Sequence, residues 1–378
     1  MRPTGRLLAL IAGLMLLRLT AYALLGGSPA DWGQNYCHLD CKWYVNLARD
    51  GYDLAPRVTP PQVYAEANWA FFPVYPLLVR LFVLASGLSY PAAGLLVANL
   101  FLFLFVVLAV AYLPRVRPGT NRVALACFLL AFPYGLYFSV PYTESLYAFF
   151  TVAGLYLLSC ERNGAAALAG TLMSATRVTG VLLAPMMAVR LLAPALADWR
   201  RGETRIALTR AADALLPIAV APLGLFLFMA LLYARTGDAL AFAHVQAGWD
   251  RQTGFPLFPL VNNLFAHDWW RAFSEDRQSV VVSEYAALAG LAVCLRLWRL
   301  RLWPELWLLG GTLTLALSAG LLSMQRLVFA NPIFLLFLFD WLWQSALVRR
   351  FFPVLLLFCA ALQLCFVHFW LKAYAFLM

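Results

Sequence analysis

Long apolar stretches fill most of the chain, separated by short polar connections, and their apolar positions run continuously rather than at every second residue. That pattern predicts membrane-spanning helices and excludes a β-barrel, whose strands alternate in hydrophobicity. The first stretch, 7–27, follows Arg2 and Arg6, and no small-residue cleavage site follows it. It reads as a retained first helix with a cytoplasmic N-terminus, not a cleaved signal. Further spans are predicted at 91–113, 123–141, 144–160, 165–178, 179–195, 212–234, 283–299, 303–322, 328–346 and 352–374. The expected fold class is therefore an all-α polytopic membrane protein with about eleven spans, 10–13 being compatible with the pattern. A single membrane domain covers 1–378, with no repeat and no second soluble domain.

Two polar segments interrupt the pattern, a first outer loop at 28–70 and a second at 235–282. The second contains His244, Trp249, Asp250, Arg251, His267 and Asp268. Segment 71–87 is ambiguous: Pro73, Pro76 and Arg80 favour a re-entrant or short spanning element over a full span. Reading it as re-entrant puts Arg115, Arg117 and Arg122 on the cytoplasmic side, as the positive-inside rule prefers. The stretch 195–210 reads equally as an amphipathic helix or a solvated basic linker.

Composition agrees. Of 378 residues 63% are hydrophobic and 12% charged, against about 45–50% and 25% in soluble domains. The net charge of +10 comes from arginines in short loops, where they orient a membrane protein; no basic, aromatic-interleaved polar segment suggests nucleic acid. The seven cysteines form no CxxC array.

An ionised group in or beside hydrocarbon costs on the order of 3 kcal/mol, so such residues point to function. They are Asp31, Asp40, Glu66, Glu144, Arg18, Arg80, Arg177 and Arg326. Asp40 lies one turn before Trp43 and Tyr44, and Trp43, Leu47 and Ala48 recur at helical spacing. Spacing alone makes Asp40 a helix cap on an interfacial helix.

Four ordered motifs change that reading. His38-Leu39-Asp40-x-x-Trp43-Tyr44-x-x-Leu47-Ala48-x-x-Gly51-Tyr52 is followed by Ala70-Phe71-Phe72-Pro73-Val74-Tyr75-Pro76-Leu77-Leu78-Val79-Arg80. Then come Pro141-Tyr142-Thr143-Glu144-Ser145-Leu146 and Ala175-Thr176-Arg177-x-x-Gly180. Together they resemble the PIG-V family, the second mannosyltransferases of glycosylphosphatidylinositol assembly and their bacterial relatives. Ser323-Met324-Gln325-Arg326 is a weaker echo. The chain departs from the family in having Leu39 where Trp is common, and in the Cys37/Cys41 pair.

The resemblance implies a GT-C fold with interfacial helices in the first outer loop. It implies a glycosyltransferase that moves a hexose, mannose by family, from a polyprenyl-phosphate donor to a lipid, glycan or protein acceptor. The transfer would invert the anomeric centre at the non-cytoplasmic face of a bacterial plasma membrane. Carried over to this chain, Asp40 is the catalytic base. Arg177, Arg326 and Arg80 are candidates to hold the donor phosphate. Glu144, Trp43, Tyr44, Tyr142 and His244 are candidates for the sugar or acceptor. Thr143 and Trp249 are weaker candidates, and Arg18 is given no catalytic role. Cys37, His38, Asp40 and Cys41 offer zinc-type ligands but lie too close together for a tetrahedral set, so no obligate metal or other cofactor is expected. A Cys37–Cys41 bond or two free thiols are the other readings. The competing function is a transporter or flippase of a lipid-linked sugar or small solute, which would carry inverted repeats and broken helices in matching halves.

Overall fold

The computed structural model describes residues 4–28, 31–56, 66–249, 251, 254–266, 278–374 and 377. Asp250, His267 and Asp268, named from the second loop, lie outside the described residues, as does Arg2. The protein is an integral membrane protein built of helices, with no strand among the described residues. A bundle of helices meets the rule that backbone polar groups in lipid must be satisfied within the protein.

The elements follow the apolar pattern. They are α1 (Gly5–Leu25), α2 (Trp32–Asn35), α3 (Asp40–Asp50), α4 (Val74–Ser86), α5 (Tyr90–Val116), α6 (Arg122–Ala131), α7 (Glu144–Ser159) and α8 (Asn163–Ser174). Next come α9 (Leu183–Arg200), α10 (Thr204–Val220), α11 (Leu223–Thr236), α12 (Ala241–His244) and α13 (Phe258–Ala266). Helices Gln278–Arg299, Trp303–Ser318, Met324–Phe329, Pro332–Gln344 and Ala346–Leu371 complete the bundle. Among the described residues, five helices are long and apolar enough to cross a membrane, or six if the bent pair α10–α11 counts as one span. Four other apolar helices among the described residues are shorter. Among them α4 has 13 residues, about 20 Å of helix at 1.5 Å per residue.

Predicted span 123–141 is split. Pro133 ends α6, and residues Pro133–Phe138 form a 3₁₀ turn. Buried side chains take up the freed carbonyls: Gln363 Nε2 donates to Leu130 O (3.2 Å) and Phe132 O (2.5 Å), and Arg18 Nη2 to Gly135 O (2.6 Å). Arg18 also donates to Tyr22 Oη (2.9 Å), Gln363 Oε1 (3.1 Å) and Ser139 Oγ. Its role is to hold this broken segment against α1 and the last helix, which keeps the following Pro141–Glu144 run in place.

The stretch 195–210 is two helices, not one. A turn at Gly202 (φ 82°) separates α9 from α10. Buried Asp198 joins them, accepting from Arg210 Nη1 (2.7 Å) and from Arg201. At the opposite end of the bundle from α2, buried Asp340 accepts from Arg117 (2.9 Å) and Arg296 (2.9 Å), tying together the ends of three helices.

Candidate functional site

The four sequence motifs meet at the C-terminal end of α8. Gly180 makes this possible: a Cβ there would sit 2.2 Å from Met173 O, so only glycine lets the chain fold back against α8 directly after Arg177. Gly224 does the same for α11, where a Cβ would fall 2.0 Å from Thr171 O. Val74 N–H donates to Ala175 O (3.2 Å), joining the second motif to the fourth. The end of α3 is held to the 66–70 segment by Asn68 Nδ2 to Gly51 O (2.9 Å) and Trp69 Nε1 to Asp53 O (2.7 Å).

These elements surround a cleft of about 580 Å³. Asp40, Trp43 and Tyr44 line it from α3, Arg177 from the break after α8, and Arg326 from the Met324–Phe329 helix. Gln246, Trp249 and Arg251 line it from the second loop, and Leu315, Ala316, Ala319, Leu322 and Leu327 form an apolar wall. Trp43 stacks on Phe71 (5.6 Å between centroids) and meets Trp249 edge-on (5.7 Å).

A chain of polar contacts runs through the cleft floor. Arg326 Nη1 donates to Asp40 Oδ2 (2.6 Å), and Arg326 Nε lies 3.3 Å from Glu144 Oε1. The same Glu144 oxygen accepts from Arg177 Nη2, while Arg177 Nε donates to Thr143 Oγ1 (2.8 Å). Thr143 Oγ1 is 3.4 Å from Tyr44 Oη. Glu144 is 1% exposed, and its Oε2 has no hydrogen-bond partner among the described residues. Burial pushes the Tyr44 phenol up from its ordinary value, so it is protonated and available as a donor at neutral pH.

Arg251 adds a third cation. Burial first, then the positive charge of Arg326, push its guanidinium down, with Asp40 opposing. Among the described residues, Arg177, Arg326 and Arg251 face two carboxylates, Asp40 and Glu144. These described side chains carry one surplus positive charge against apolar walls, an arrangement suited to a singly charged anion with a greasy tail.

The structure therefore brings together Asp40, Arg177, Arg326, Glu144, Trp43 and Tyr44. Asp40 is the first residue of α3, but its carboxylate pairs with Arg326 rather than capping the helix. Tyr142 is buried beneath the site: Arg326 lies 5.1 Å over its ring, and its hydroxyl donates to His38 O (3.1 Å). Two candidates fall outside. Arg80 is exposed on α4 and does not line the cleft. His244 is exposed and bonds to Asp238 Oδ2 (2.7 Å), because α12 turns Ala243 rather than His244 toward the cleft. His244→Ala and Arg80→Ala are each expected to keep activity within about twofold of wild type, as exposed positions do; a tenfold loss in a transfer assay contradicts this placement. Cys37 and Cys41 are bonded to each other. Among the described residues no three His, Cys, Asp or Glu side chains are grouped to hold a metal ion.

Comparison with known proteins follows the same residues. The family model described as Mannosyltransferase (PIG-V) matches residues 32–246, more than half of the chain. The chain belongs to this family. No curated protein matches it. Among solved structures, ArnT from Cupriavidus metallidurans, bound to undecaprenyl phosphate, superposes with a TM-score of 0.50 at 14% identity. That match covers 89% of this PIG-V family chain and 60% of ArnT. The oligosaccharyltransferase of Archaeoglobus fulgidus, in complex with Zn and sulfate, gives a TM-score of 0.53 at 12% identity, covering 97% and 53%. The PIG-V family member thus has the GT-C fold and spans a little over half the length of these two proteins. It is an integral membrane protein of a family described as mannosyltransferases.

Proposed function

We propose that this glycosyltransferase takes mannose from a polyprenyl-phosphate carrier and passes it to an acceptor hydroxyl at the non-cytoplasmic face, inverting the anomeric centre. One observation carries the reading: a carboxylate and three arginines share a cleft whose other wall is apolar. The prenyl tail would lie along Leu315, Leu322 and Leu327, and its phosphate against Arg177, Arg326 and Arg251. ArnT, with its bound undecaprenyl phosphate, supports this pairing of fold and ligand class. The Cys37–Cys41 bond beside the site supports an oxidising compartment.

The step is a single displacement. The acceptor oxygen bonds to the anomeric carbon as the bond from that carbon to the phosphate oxygen breaks. Asp40 takes the acceptor proton while Arg326 holds its Oδ2. The lipid leaves as a monophosphate, and the arginines neutralise the charge that develops on it. Trp43 and Trp249 offer flat apolar faces to a sugar ring.

The test is direct. Purified protein is incubated with polyprenyl-phosphate [¹⁴C]mannose and a membrane extract, and the labelled product is identified. Transfer from the lipid carrier supports the reading, whereas transfer from a nucleotide-diphosphate mannose with no lipid carrier overturns it. Within that assay, Arg177→Ala is expected to weaken apparent donor affinity about 10–100-fold, the loss of one or two charge-assisted hydrogen bonds. Unchanged donor KM and kcat would remove Arg177 from the phosphate.

A further inference from the structure

The carboxylate of Asp40 is presented by a turn that its own sequence disfavours. Cys41 N–H donates to His38 O (3.1 Å), closing a tight turn in which Leu39 is the first central residue. Leu39 stands at φ 47° and ψ −114°, the conformation that glycine supplies in a type II′ turn and that L residues rarely adopt. A turn of this kind with leucine needs its surroundings to hold it. Three contacts do so. The Cys37–Cys41 bond spans the turn, with Cα atoms 5.1 Å apart. Tyr142 Oη donates to the same His38 carbonyl (3.1 Å), and the His38 ring packs on Trp370 (5.6 Å).

We propose that the Cys37–Cys41 bridge is a positioning element for Asp40: it holds Leu39 at positive φ so that the carboxylate stays between Arg326 and the acceptor. The inference rests on the reading of Asp40 as the base. It makes the bridge more than a global staple, because a bond across five residues closes too short a loop to restrict much of the unfolded chain. Its effect is local to the turn.

The distinguishing variable is residue 39. Glycine adopts positive φ without steric cost, so the turn should no longer depend on the bridge in the Leu39→Gly background. The experiment compares four full-length proteins: wild type, Cys37→Ser/Cys41→Ser, Leu39→Gly, and the triple variant. Two readouts are taken, amide hydrogen exchange over residues 36–50 and kcat for mannosyl transfer with donor KM. Removing the bridge in the Leu39 background is expected to speed exchange of the 38–42 amides and lower kcat about tenfold, with donor KM within twofold. In the Leu39→Gly background the same removal should lower kcat less than threefold and leave exchange nearly unchanged. Equal losses in the two backgrounds overturn the proposal, as does a double-serine variant with wild-type kcat and exchange. If the double-serine protein does not accumulate, the bridge is instead reduced with a phosphine in the folded wild-type and Leu39→Gly proteins. Faster exchange at 38–42 on reduction in the wild type but not in Leu39→Gly is expected, and equal changes in the two, or none in the wild type, overturn the proposal. Hydrogen exchange needs no substrate, so a wild-type protein that transfers nothing, yet shows the bridge-dependent exchange, refutes the assigned reaction and not the role of the bridge.

Discussion

Asp40→Asn is expected to lower mannosyl transfer about 10²–10⁴-fold, the usual range for a removed general base, while leaving the fold in place. Asparagine has the same shape, and its amide oxygen still accepts from Arg326 Nη1, now 2.6 Å from Asp40 Oδ2. What disappears is the negative charge and the ability to take a proton. The direction of donor binding separates this from damage. With one carboxylate fewer beside Arg326, the surplus of positive charge on the cleft floor rises, and an anionic donor should bind as tightly as before or more tightly. A fall in kcat with a steady or lower donor KM, and a melting temperature within a few degrees of wild type, is the expected set. A variant that keeps kcat within tenfold removes Asp40 as the base.

The helical bundle was legible because lipid imposes one rule on backbone and side chains alike. Continuous apolar runs had to be helices, and their order in the sequence is their order in the structure. Breaks were less legible where a proline sits inside an apolar run. Pro133 splits a predicted span, and the distant donors Arg18 and Gln363, 345 positions apart, make that split tolerable. The polar site was legible at Asp40, Glu144 and Arg177 because motifs carried them, and at Arg326 from a weaker echo.

Arg251 was missed as a site residue. It lies in a polar loop, where an arginine normally needs no explanation, and only its position against Arg326 and Arg177 gives it meaning. His244 was the opposite case. A lone histidine beside aromatics drew interest, yet the turn into α12 leaves it paired with Asp238 in solvent. Its neighbours Ala243 and Gln246 take the cleft-facing positions. Leu39 was noticed as a departure from the family, but its backbone conformation has no signature in residue types: leucine at positive φ is what a sequence reader would exclude.

Glu144→Ala is expected to destabilise the protein by about 3 kcal/mol, the low end for breaking a buried ion pair. Glu144 is 1% exposed, and its Oε1 serves Arg177 and Arg326 together. Removing it leaves two guanidinium groups side by side with Asp40 as the remaining carboxylate, and the partial access of both arginines to the cleft keeps the loss from being larger. Glu144→Gln keeps the volume and one acceptor oxygen but not the charge, so it should cost less. It also makes the sharper test. If the floor is built to receive an anion, a polyprenyl monophosphate can supply the charge that glutamine lacks. Ligand binding to the native state stabilises it by RT ln(1 + [L]/Kd), so the same lipid concentration should raise the melting temperature of Glu144→Gln more than that of wild type. Equal shifts in the two proteins would mean that the lipid phosphate does not contact the pair of arginines that Glu144 holds.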